Sequence, residues 1–130
     1  MGGEIFQGIF KKRRVLVTGH TGFKGSWLAI WLKELGAEVV GYALEPPSDP
    51  SNYAATGLAD RIDHMHGDVR DLDHLLDVFA RYEPEMVFHL AAQALVRASY
   101  DDPKTTFDTN IGGTVNVLEA VRRTDSVRVL

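Results

Sequence analysis

The sequence predicts an α/β fold in which a doubly wound parallel sheet carries helices on both faces. Short apolar runs alternate along the chain with segments whose apolar residues have helical spacing. Strands joined by such helical crossovers run parallel to one another. A glycine-rich turn directly after the first apolar run is typical of this architecture. We expect the strand order 3-2-1-4-5.

The first strand and helix are predicted from residues 14–36. Residues 14–18 form a short β-branched run, which we interpret as a buried strand. Residues 26–35 have helical spacing, and Gly36 suits the position just beyond a helix end. The helix face that we expect to pack in the core, rather than to serve as a stacking platform, consists of Trp27, Leu28, Trp31, Leu32 and Leu35.

The second and third strands flank a loop that contains three prolines. Residues 38–44 predict the second strand and residues 61–66 the third. The loop covers residues 45–52, and a short helical turn is expected at 53–58. Asp71 is suited to cap the next helix. The apolar face of that helix consists of Leu72, Leu75, Leu76 and Phe79.

The last part of the chain predicts a central strand, a long helix and a further strand. Residues 86–91 are apolar except for His89, as expected for a central parallel strand. Pro103 suits the first turn of a long helix. Residues 127–130 begin a fifth strand, so we expect the sheet to be truncated within it. The side chains expected to face inward on the long helix are Phe107, Ile111, Val115, Leu118 and Val121.

Composition favours one globular domain and disfavours several functional classes. The 130 residues, of which 45% are hydrophobic, are enough for one core. The net charge of −4 argues against a nucleic-acid partner. There is no cysteine for a disulfide or a thiolate metal site. No segment approaches the ~20 apolar residues of a membrane span. We therefore expect a cytoplasmic protein without a membrane or nucleic-acid partner.

The glycine turn T-G-H-T-G-F-K-G, residues 18–25, carries the functional prediction. It lies between a strand and a helix, which is the setting of a dinucleotide-binding turn. Gly19 allows a tight turn, Gly22 allows a pyrophosphate to approach the backbone, and Gly25 allows close helix packing. The helix N-terminus adds free N–H groups and a partial positive charge. We predict a Rossmann-like pyrophosphate site here rather than a purely structural loop.

The G-x-x-G-x-x-G spacing, with Thr18 before it, resembles the extended short-chain dehydrogenase/reductase superfamily. The segments G-D-V at 67–69, H-L-A-A-Q at 89–93 and N-I-G-G-T-V-N-V-L-E-A at 110–120 resemble further motifs of that superfamily. The resemblance covers nearly the whole chain. It implies an adenine contact at Asp68 and Val69 and a backbone ledge for the cofactor along Leu90 to Ala92.

Three segments narrow the resemblance to the CDP-glucose 4,6-dehydratases. They are G-H-T-G-F-K-G-S-W-L at 19–28, G-Y-A-L-E-P-P at 41–47, and H-L-A-A-Q-A-L-V-R at 89–97 with Ser99, Tyr100 and Pro103 after it. Related epimerases and GDP-mannose dehydratases share the glycines but usually differ at His20, Phe23 and Lys24. The residues that the resemblance and the turn together assign to the cofactor are Gly19, Thr21, Gly22, Phe23, Lys24, Gly25, Asp68, Val69, Leu90, Ala91 and Ala92.

The resemblance implies the NAD-binding part of a lyase of polysaccharide biosynthesis. Such enzymes convert CDP-glucose to CDP-4-keto-6-deoxyglucose by internal hydride transfer and loss of water. The alternatives are another nucleotide-sugar epimerase or dehydratase, or a non-catalytic dinucleotide-binding module. Family members pair through the long helix after strand four, so a homo-oligomer is expected for the full-length protein. Gln93 and Arg97 are candidates for binding the nucleotide-sugar substrate, although a surface ion pair would suit Arg97 equally.

NAD is favoured over NADP by the end of the second strand. Ala43 or Leu44 takes the place of the ribose-binding residue, and Glu45 lies just beyond it. No Arg or Lys that would bind a 2′-phosphate follows until Arg61. Lys24 keeps the choice open because, from within the turn, it can reach either phosphate.

No catalytic residue is expected in this chain. Tyr100 and Lys104 have the superfamily's Tyr-x-x-x-Lys spacing, but Pro103 predicts a helix start that leaves Tyr100 in the preceding loop. The catalytic pair must share one helix face so that the lysine charge lowers the tyrosine pKa. In the family this pair follows strand five. We therefore expect residues 1–130 to form an incomplete dinucleotide-binding domain without the substrate domain, inactive alone.

The histidines have three separate interpretations. His64 and His66 lie on one face of a strand, but no third ligand is evident, so we predict no metal site. We interpret His89 as a packed, hydrogen-bonded core residue. For His20, a cofactor contact and a cap on the turn remain alternatives.

Overall fold

In a computed structural model, which describes residues 4–130, four parallel strands form one sheet in the order β3-β2-β1-β4. Val129 forms an isolated parallel bridge with Met86 on the outer side of β4. This bridge begins the fifth position of the predicted order, so the fold class is confirmed. The strands are β1 (Arg14–Thr18), β2 (Glu38–Ala43), β3 (Asp63–His66) and β4 (Met86–His89).

Helices connect the strands and cover both faces of the sheet. Asp71 caps its helix as predicted, because its carboxylate accepts the amide of His74 at 3.0 Å. None of the described helices is long and apolar enough to cross a membrane. The helices are α1 (Phe23–Glu34), α2 (Asn52–Ala55), α3 (Leu72–Tyr82), α4 (Val96–Asp101), α5 (Pro103–Phe107) and α6 (Gly113–Arg122), with a π-helical turn (Asp108–Gly112) between α5 and α6 and 3-10 turns at Ile5–Gly8 and Leu58–Asp60.

The sheet separates two buried clusters, because alternate residues of each strand point to opposite faces. On one face, Leu16 and Val87 belong to the cluster that contains side chains of α3 and α6. On the other face, Val15 and Val17 belong to the cluster that contains side chains of α1. The carboxyl ends of all four strands therefore lie at one edge, between the two helical layers.

The buried face of α1 differs from the predicted one. Trp27 and Trp31 are each 52% exposed, so the prediction that they pack in the core is wrong. The helix instead approaches the sheet through small side chains, and this close approach leaves no room for indole rings between them. The buried residues of α1 are Gly25, Ser26, Ala29 and Leu32.

The long helix also presents a different face from the one expected. Its apolar stripe of Phe107, Ile111, Val115 and Leu118 is at least half exposed, so the prediction that these four side chains face inward is wrong. Val121, the fifth, is partly buried against the core. The helix packs on the sheet through Gly113, Val117 and Ala120 instead. The π-helical turn contributes to the difference, because its wider turn shifts the register of the side chains that follow.

Two further differences concern the residues after β4. The strand ends at His89 rather than at residue 91, because the backbone of Leu90 and Ala91 turns to bond Thr18. Helix α4 was not predicted, and it includes Tyr100, which was expected in a loop. Asp102, with φ −137° and ψ 77°, separates α4 from α5.

Candidate functional site

The glycine turn lies at the carboxyl edge of the sheet, and the structure explains the presence of glycine differently at its three positions. Gly19 has φ +80°, and a Cβ there would lie 2.7 Å from the amide nitrogen of Ala91. A Cβ on Gly25 would overlap the carbonyl of Gly19. Packing alone therefore requires glycine at positions 19 and 25.

Packing within the chain does not require glycine at position 22. Its φ of −77° is accessible to any residue, and a Cβ there would meet only the Gly19 carbonyl oxygen, at 3.4 Å, an ordinary contact. Gly22 precedes the first turn of α1, whose first amides have no partner within the helix and receive no side-chain cap. The small residue thus leaves backbone N–H groups accessible where an anion can approach.

The turn is attached to the end of β2 on both sides of His20. The amide of Gly19 donates to the carbonyl of Tyr42 at 3.0 Å. The hydroxyl of Thr21 donates to the carbonyl of Leu44 at 2.8 Å. Thr21 is thereby nearly buried, and only its backbone remains available to a ligand. Phe23 and Lys24 are exposed at the start of α1.

His20 lies in the interior and does not face the open side of the turn. Its side chain is fully buried, and its Nε2 is 2.6 Å from Nδ1 of His64 on β3. Burial, with His64 as the second cause, lowers the pKa of His20 to about 4. Among the described contacts this imidazole forms no cap on the turn, and its full burial argues against a contact with a cofactor.

A ledge formed by Leu90 and Ala91 faces the turn across the end of β1. Thr18 Oγ1 accepts both their amides at 3.1 Å and lies 2.7 Å from Nδ1 of His89. The other ring nitrogen of His89 is 3.1 Å from the hydroxyl of Thr114, which donates to the carbonyl of Asn110.

This chain of hydrogen bonds fixes the tautomer of His89. Because the Thr114 proton is committed to Asn110, Nε2 of His89 must donate to Thr114, and Nδ1 must accept from Thr18. Burial lowers the pKa of His89, so the ring is neutral as this arrangement requires. The interpretation of His89 as a hydrogen-bonded core residue agrees with the structure.

The ledge continues through Gln93 to the long helix. The side chain of Asn110 accepts the amide of Gln93 at 2.8 Å and donates to its carbonyl at 3.0 Å. The Gln93 side chain bonds Leu95 and Thr106, so its amide is already engaged within the chain. Arg97 is exposed on α4. Sequence reasoning placed Asn110 at the start of a motif that resembles the superfamily's, but it did not predict these hydrogen bonds to Gln93.

Asp68 and Val69 follow β3 at the same edge. The carboxylate of Asp68 is held by the guanidinium of Arg70 at 2.6 Å, and these hydrogen bonds lower the pKa of Asp68. Its carbonyl accepts the hydroxyl of Tyr42 at 2.8 Å. Val69 is buried, and its carbonyl accepts the side-chain amide of Asn116. Asp68 therefore remains ionised, and its backbone is held against β2 by the hydrogen bond from Tyr42.

Tyr100 and Lys104 do not form an acid/base pair. Tyr100 is 82% exposed in α4, whereas Lys104 lies in α5 and bonds the carboxylate of Asp108. The break at Asp102 places them on two separate helices. Their spacing in the sequence therefore lacks the shared helix face that the chemistry requires.

His64 and His66 are not brought together around a common centre. His66 Nδ1 lies 3.2 Å from the carboxylate of Glu45, while His64 bonds His20. Within residues 4–130, no three His, Cys, Asp or Glu side chains are grouped so as to hold a metal ion.

The sequence matches the family model described as GDP-mannose 4,6 dehydratase over residues 16–130. Among curated proteins, the chain is 47% identical over 126 residues to CDP-glucose 4,6-dehydratase of Salmonella typhimurium. That alignment covers 97% of this chain and 35% of the relative, so the chain spans about a third of its length. The resemblance inferred from the glycine turn is thereby confirmed.

Solved structures agree with this relationship. UDP-glucose 4-epimerase from Brucella ovis in complex with NAD has a TM-score of 0.77 at 33% identity, covering 90% of this chain and 34% of that one. UDP-glucose-4-epimerase from Stenotrophomonas maltophila, with bound NAD and formylated UDP-arabinopyranose, has a TM-score of 0.76 at 26% identity, covering 90% and 36%.

Proposed function

The chain belongs to the GDP-mannose 4,6 dehydratase family, and on this premise we propose that it is the NAD-binding part of a nucleotide-sugar 4,6-dehydratase that acts on CDP-glucose. In this proposal residues 1–130 are a Rossmann dinucleotide-binding domain that is incomplete by itself. In this proposal residues 1–130 do not include the substrate domain.

The observation that carries the proposal is the contrast among the three glycines. The fold itself requires Gly19 and Gly25, whereas Gly22 is free of both backbone strain and internal crowding. A glycine with no structural reason at a helix N-terminus is explained by a ligand that needs the space. A pyrophosphate fits, because the amides of the first turn of α1 and the positive end of the helix favour an anion there.

The residues around the turn fit the rest of a dinucleotide. In this proposal Asp68 and Val69, which follow β3, contact the adenine ring. The ledge of Leu90, Ala91 and Ala92 offers the nicotinamide half two alanine side chains and a backbone that Thr18 fixes at Leu90 and Ala91. Exposed Glu45 just beyond β2, without a nearby Lys or Arg after it in sequence, favours NAD over NADP. When bound, NAD supplies the hydride acceptor of the reaction.

The contribution of this chain is binding and orientation. We assign no catalytic residue to it, since Tyr100 and Lys104 are on separate helices. Gln93 and Arg97 lie beyond the ledge and are the residues of this chain assigned to the nucleotide sugar. Gln93 would act through its position, because its side chain is already hydrogen bonded.

CDP-glucose is favoured over other nucleotide sugars by the relationship to the Salmonella typhimurium CDP-glucose dehydratase at 47% identity. The two UDP-glucose epimerase structures are 33% and 26% identical. The alternatives are therefore another epimerase or dehydratase of the superfamily, or a binding module without catalysis.

A chimera tests the proposal. Residues 1–130 replace the matching segment of the Salmonella typhimurium enzyme, and CDP-glucose is supplied with NAD. We expect a product lighter than CDP-glucose by one water, and none from the 130-residue chain alone. A matched chimera carrying Gly22→Val should fold but form no product. A folded, NAD-bound chimera that leaves CDP-glucose unchanged would contradict the dehydratase proposal.

A further inference from the structure

Three consecutive residues of the glycine turn are each fastened to the sheet, and the middle one is fastened by an imidazole pair. Gly19 and Thr21 bond carbonyl groups at the end of β2. His20 instead reaches β3, where its Nε2 lies 2.6 Å from Nδ1 of His64. The only side-chain link between the turn and β3 that the described contacts contain is thus a bond between two titratable rings.

The His20 ring has no freedom to find another partner. It lies flat on Gly41 of β2, where any Cβ would overlap it, and edge-on to Tyr53 of α2 at 5.5 Å. Its Nδ1 is buried without a hydrogen-bond partner among residues 4–130. The ring is therefore held by packing and by the single hydrogen bond to His64.

The number of protons on the pair decides whether this bond is tolerated. Two neutral imidazoles carry two ring protons, and one of these can lie between the rings while Nδ1 of His20 stays bare. One added proton makes three on four nitrogens. If the bond between the rings is kept, both outer nitrogens must then carry protons, including the buried Nδ1 of His20. Protonation thus breaks the bond or buries an N–H without an acceptor.

The groups that face the pair leave it neutral near pH 7. Burial lowers the pKa of both rings, and Glu45, which follows β2, only partly opposes this at His64. His66, the other histidine of β3, further lowers the pKa of His64. The phenol of Tyr53, whose pKa is raised, stays uncharged on the α2 side.

Resting on the proposed dinucleotide site, we propose that His20 is a positioning residue whose hydrogen bond to His64 holds the turn in the shape that accepts a pyrophosphate, and that protonation of the pair releases the turn. The His20 side chain need not touch the ligand. Because the His20 backbone is part of the turn, between Gly19 and Thr21, holding the side chain also holds the turn. The structural reason for histidine at this position of the turn is then the link to β3.

The affinity for NAD as a function of pH tests the proposal by isothermal titration calorimetry on the 130-residue chain. Between about pH 7.5 and pH 5.0 we expect NAD affinity to fall by about threefold or more. His64→Asn supplies a partner that does not titrate, so its affinity should change by less than about twofold over the same range. His66→Asn, on the same strand but paired with Glu45, keeps the bond between the two rings and should retain the loss of affinity, with its midpoint moved to higher pH because His66 lowers the pKa of His64. An equal loss of affinity in His64→Asn and in the unchanged chain would overturn the proposal.

A second readout needs no ligand and separates this proposal from the one on which it rests. In the free chain, the NMR signals of the Gly19 and Gly22 amides should shift with the same pH midpoint as the His64 ring, and His64→Asn should abolish that shift. If the amide signals do not shift with the His64 ring, the proposed role of the bond between His20 and His64 is overturned, even if NAD binds. A chain that binds no NAD at about pH 7.5 but whose amide signals shift with the His64 ring would refute the dinucleotide site. It would still support the control of the turn by the bond between His20 and His64.

Discussion

Thr18 Oγ1 lies 2.7 Å from Nδ1 of His89, and the same oxygen accepts the amides of Leu90 and Ala91. One hydroxyl at the end of β1 therefore organises the ledge at the end of β4. Because Thr18 is also the first residue of the glycine turn, the two sides of the candidate site form one hydrogen-bonded unit. The neutral His89 ring extends this unit to Thr114 on the long helix.

Removal of the Thr18 hydroxyl should loosen the ledge. Thr18→Val keeps the shape of the side chain but leaves the amide of Ala91 without an acceptor and Nδ1 of His89 without a donor, whereas the amide of Leu90 still donates to the carbonyl of residue 18. We therefore expect the free energy of unfolding to fall by about 1–3 kcal/mol. Thr109→Val is the control, because no hydrogen bond of the Thr109 hydroxyl is found among residues 4–130. Urea denaturation measures both. Equal stability of the two variants would contradict the role of Thr18.

Addition of one methyl group at Gly25 should destabilise the fold, because the new Cβ overlaps the Gly19 carbonyl. We expect Gly25→Ala to lower the free energy of unfolding by about 1–3 kcal/mol. Gly112→Ala is the matched control: its Cβ meets nothing within 4 Å, and its φ is −60°. The control should be neutral or stabilising by up to about 1 kcal/mol, since alanine favours helices. Thermal unfolding that ranks the two variants in the reverse order would exclude the packing role of Gly25.

Stability should fall as the pH falls below about 6.5. The pKa values of His20, His64 and His89 are lowered in the folded chain, so the unfolded chain binds more protons in this range. The contribution of these neutral rings is complete above the unfolded value of 6.5 and is lost progressively toward about 4 for His20. At pH 5 the loss from His20 alone is about 2 kcal/mol.

The urea midpoint at about pH 7.5 and pH 5 measures this loss. His66→Asn should retain it, because His66 is exposed on the end of β3. A midpoint that rises or stays constant on acidification would show that the buried rings do not titrate as described.

The preference for NAD should depend on the charge beyond β2. Leu44→Arg places a cation beside the position expected for the ribose, so we expect the ratio of NADP to NAD affinity to rise by about tenfold. Ile5→Arg adds the same charge at an exposed site away from the turn and should leave the ratio unchanged. Titration of both dinucleotides into each variant decides. A ratio that is unaffected by Leu44→Arg would place the ribose elsewhere.

The exposed stripe on the long helix should promote self-association. Phe107, Ile111, Val115 and Leu118 are each at least half exposed, and such a continuous apolar face favours burial against a second copy. We expect the double variant Val115→Glu, Leu118→Glu to lower the average mass measured by light scattering. Lys104→Glu, on a polar part of the same helix, is the control. A double variant with the mass of the unchanged chain would exclude this surface.

The sequence predicted the sheet order, the turn and most strand bounds because these follow from local patterns. Residues 14–18, for example, combine apolar β-branched residues with a glycine directly after them. It failed for Trp27 and Val115 because helical spacing identifies an apolar stripe but not which side faces the sheet. The side that faces the sheet is set by small residues such as Gly113, which allow the helix to pack closely. Such packing depends on how the helices and the sheet assemble and cannot be read from helical spacing.

The candidate site was predicted to a similar extent. The positions of Gly19, Gly22 and Gly25 followed from their spacing after a strand. Why glycine is present at each position became clear only from the three-dimensional structure. The link between His20 and His64, which are 44 residues apart, could not be predicted, since only the register of β2 against β3 brings them together.

The binding of NAD to the 130-residue chain, compared with its Gly22→Ala variant, tests the central claim most directly. A Cβ at this position is compatible with the fold, but in the proposed site it occupies the space of the pyrophosphate. Calorimetry should show NAD binding to the unchanged chain and a loss of at least about tenfold in affinity for the variant, which should unfold at the same urea concentration. A folded chain that binds no NAD at about millimolar concentration, or a Gly22→Ala variant that binds it equally well, would contradict the claim.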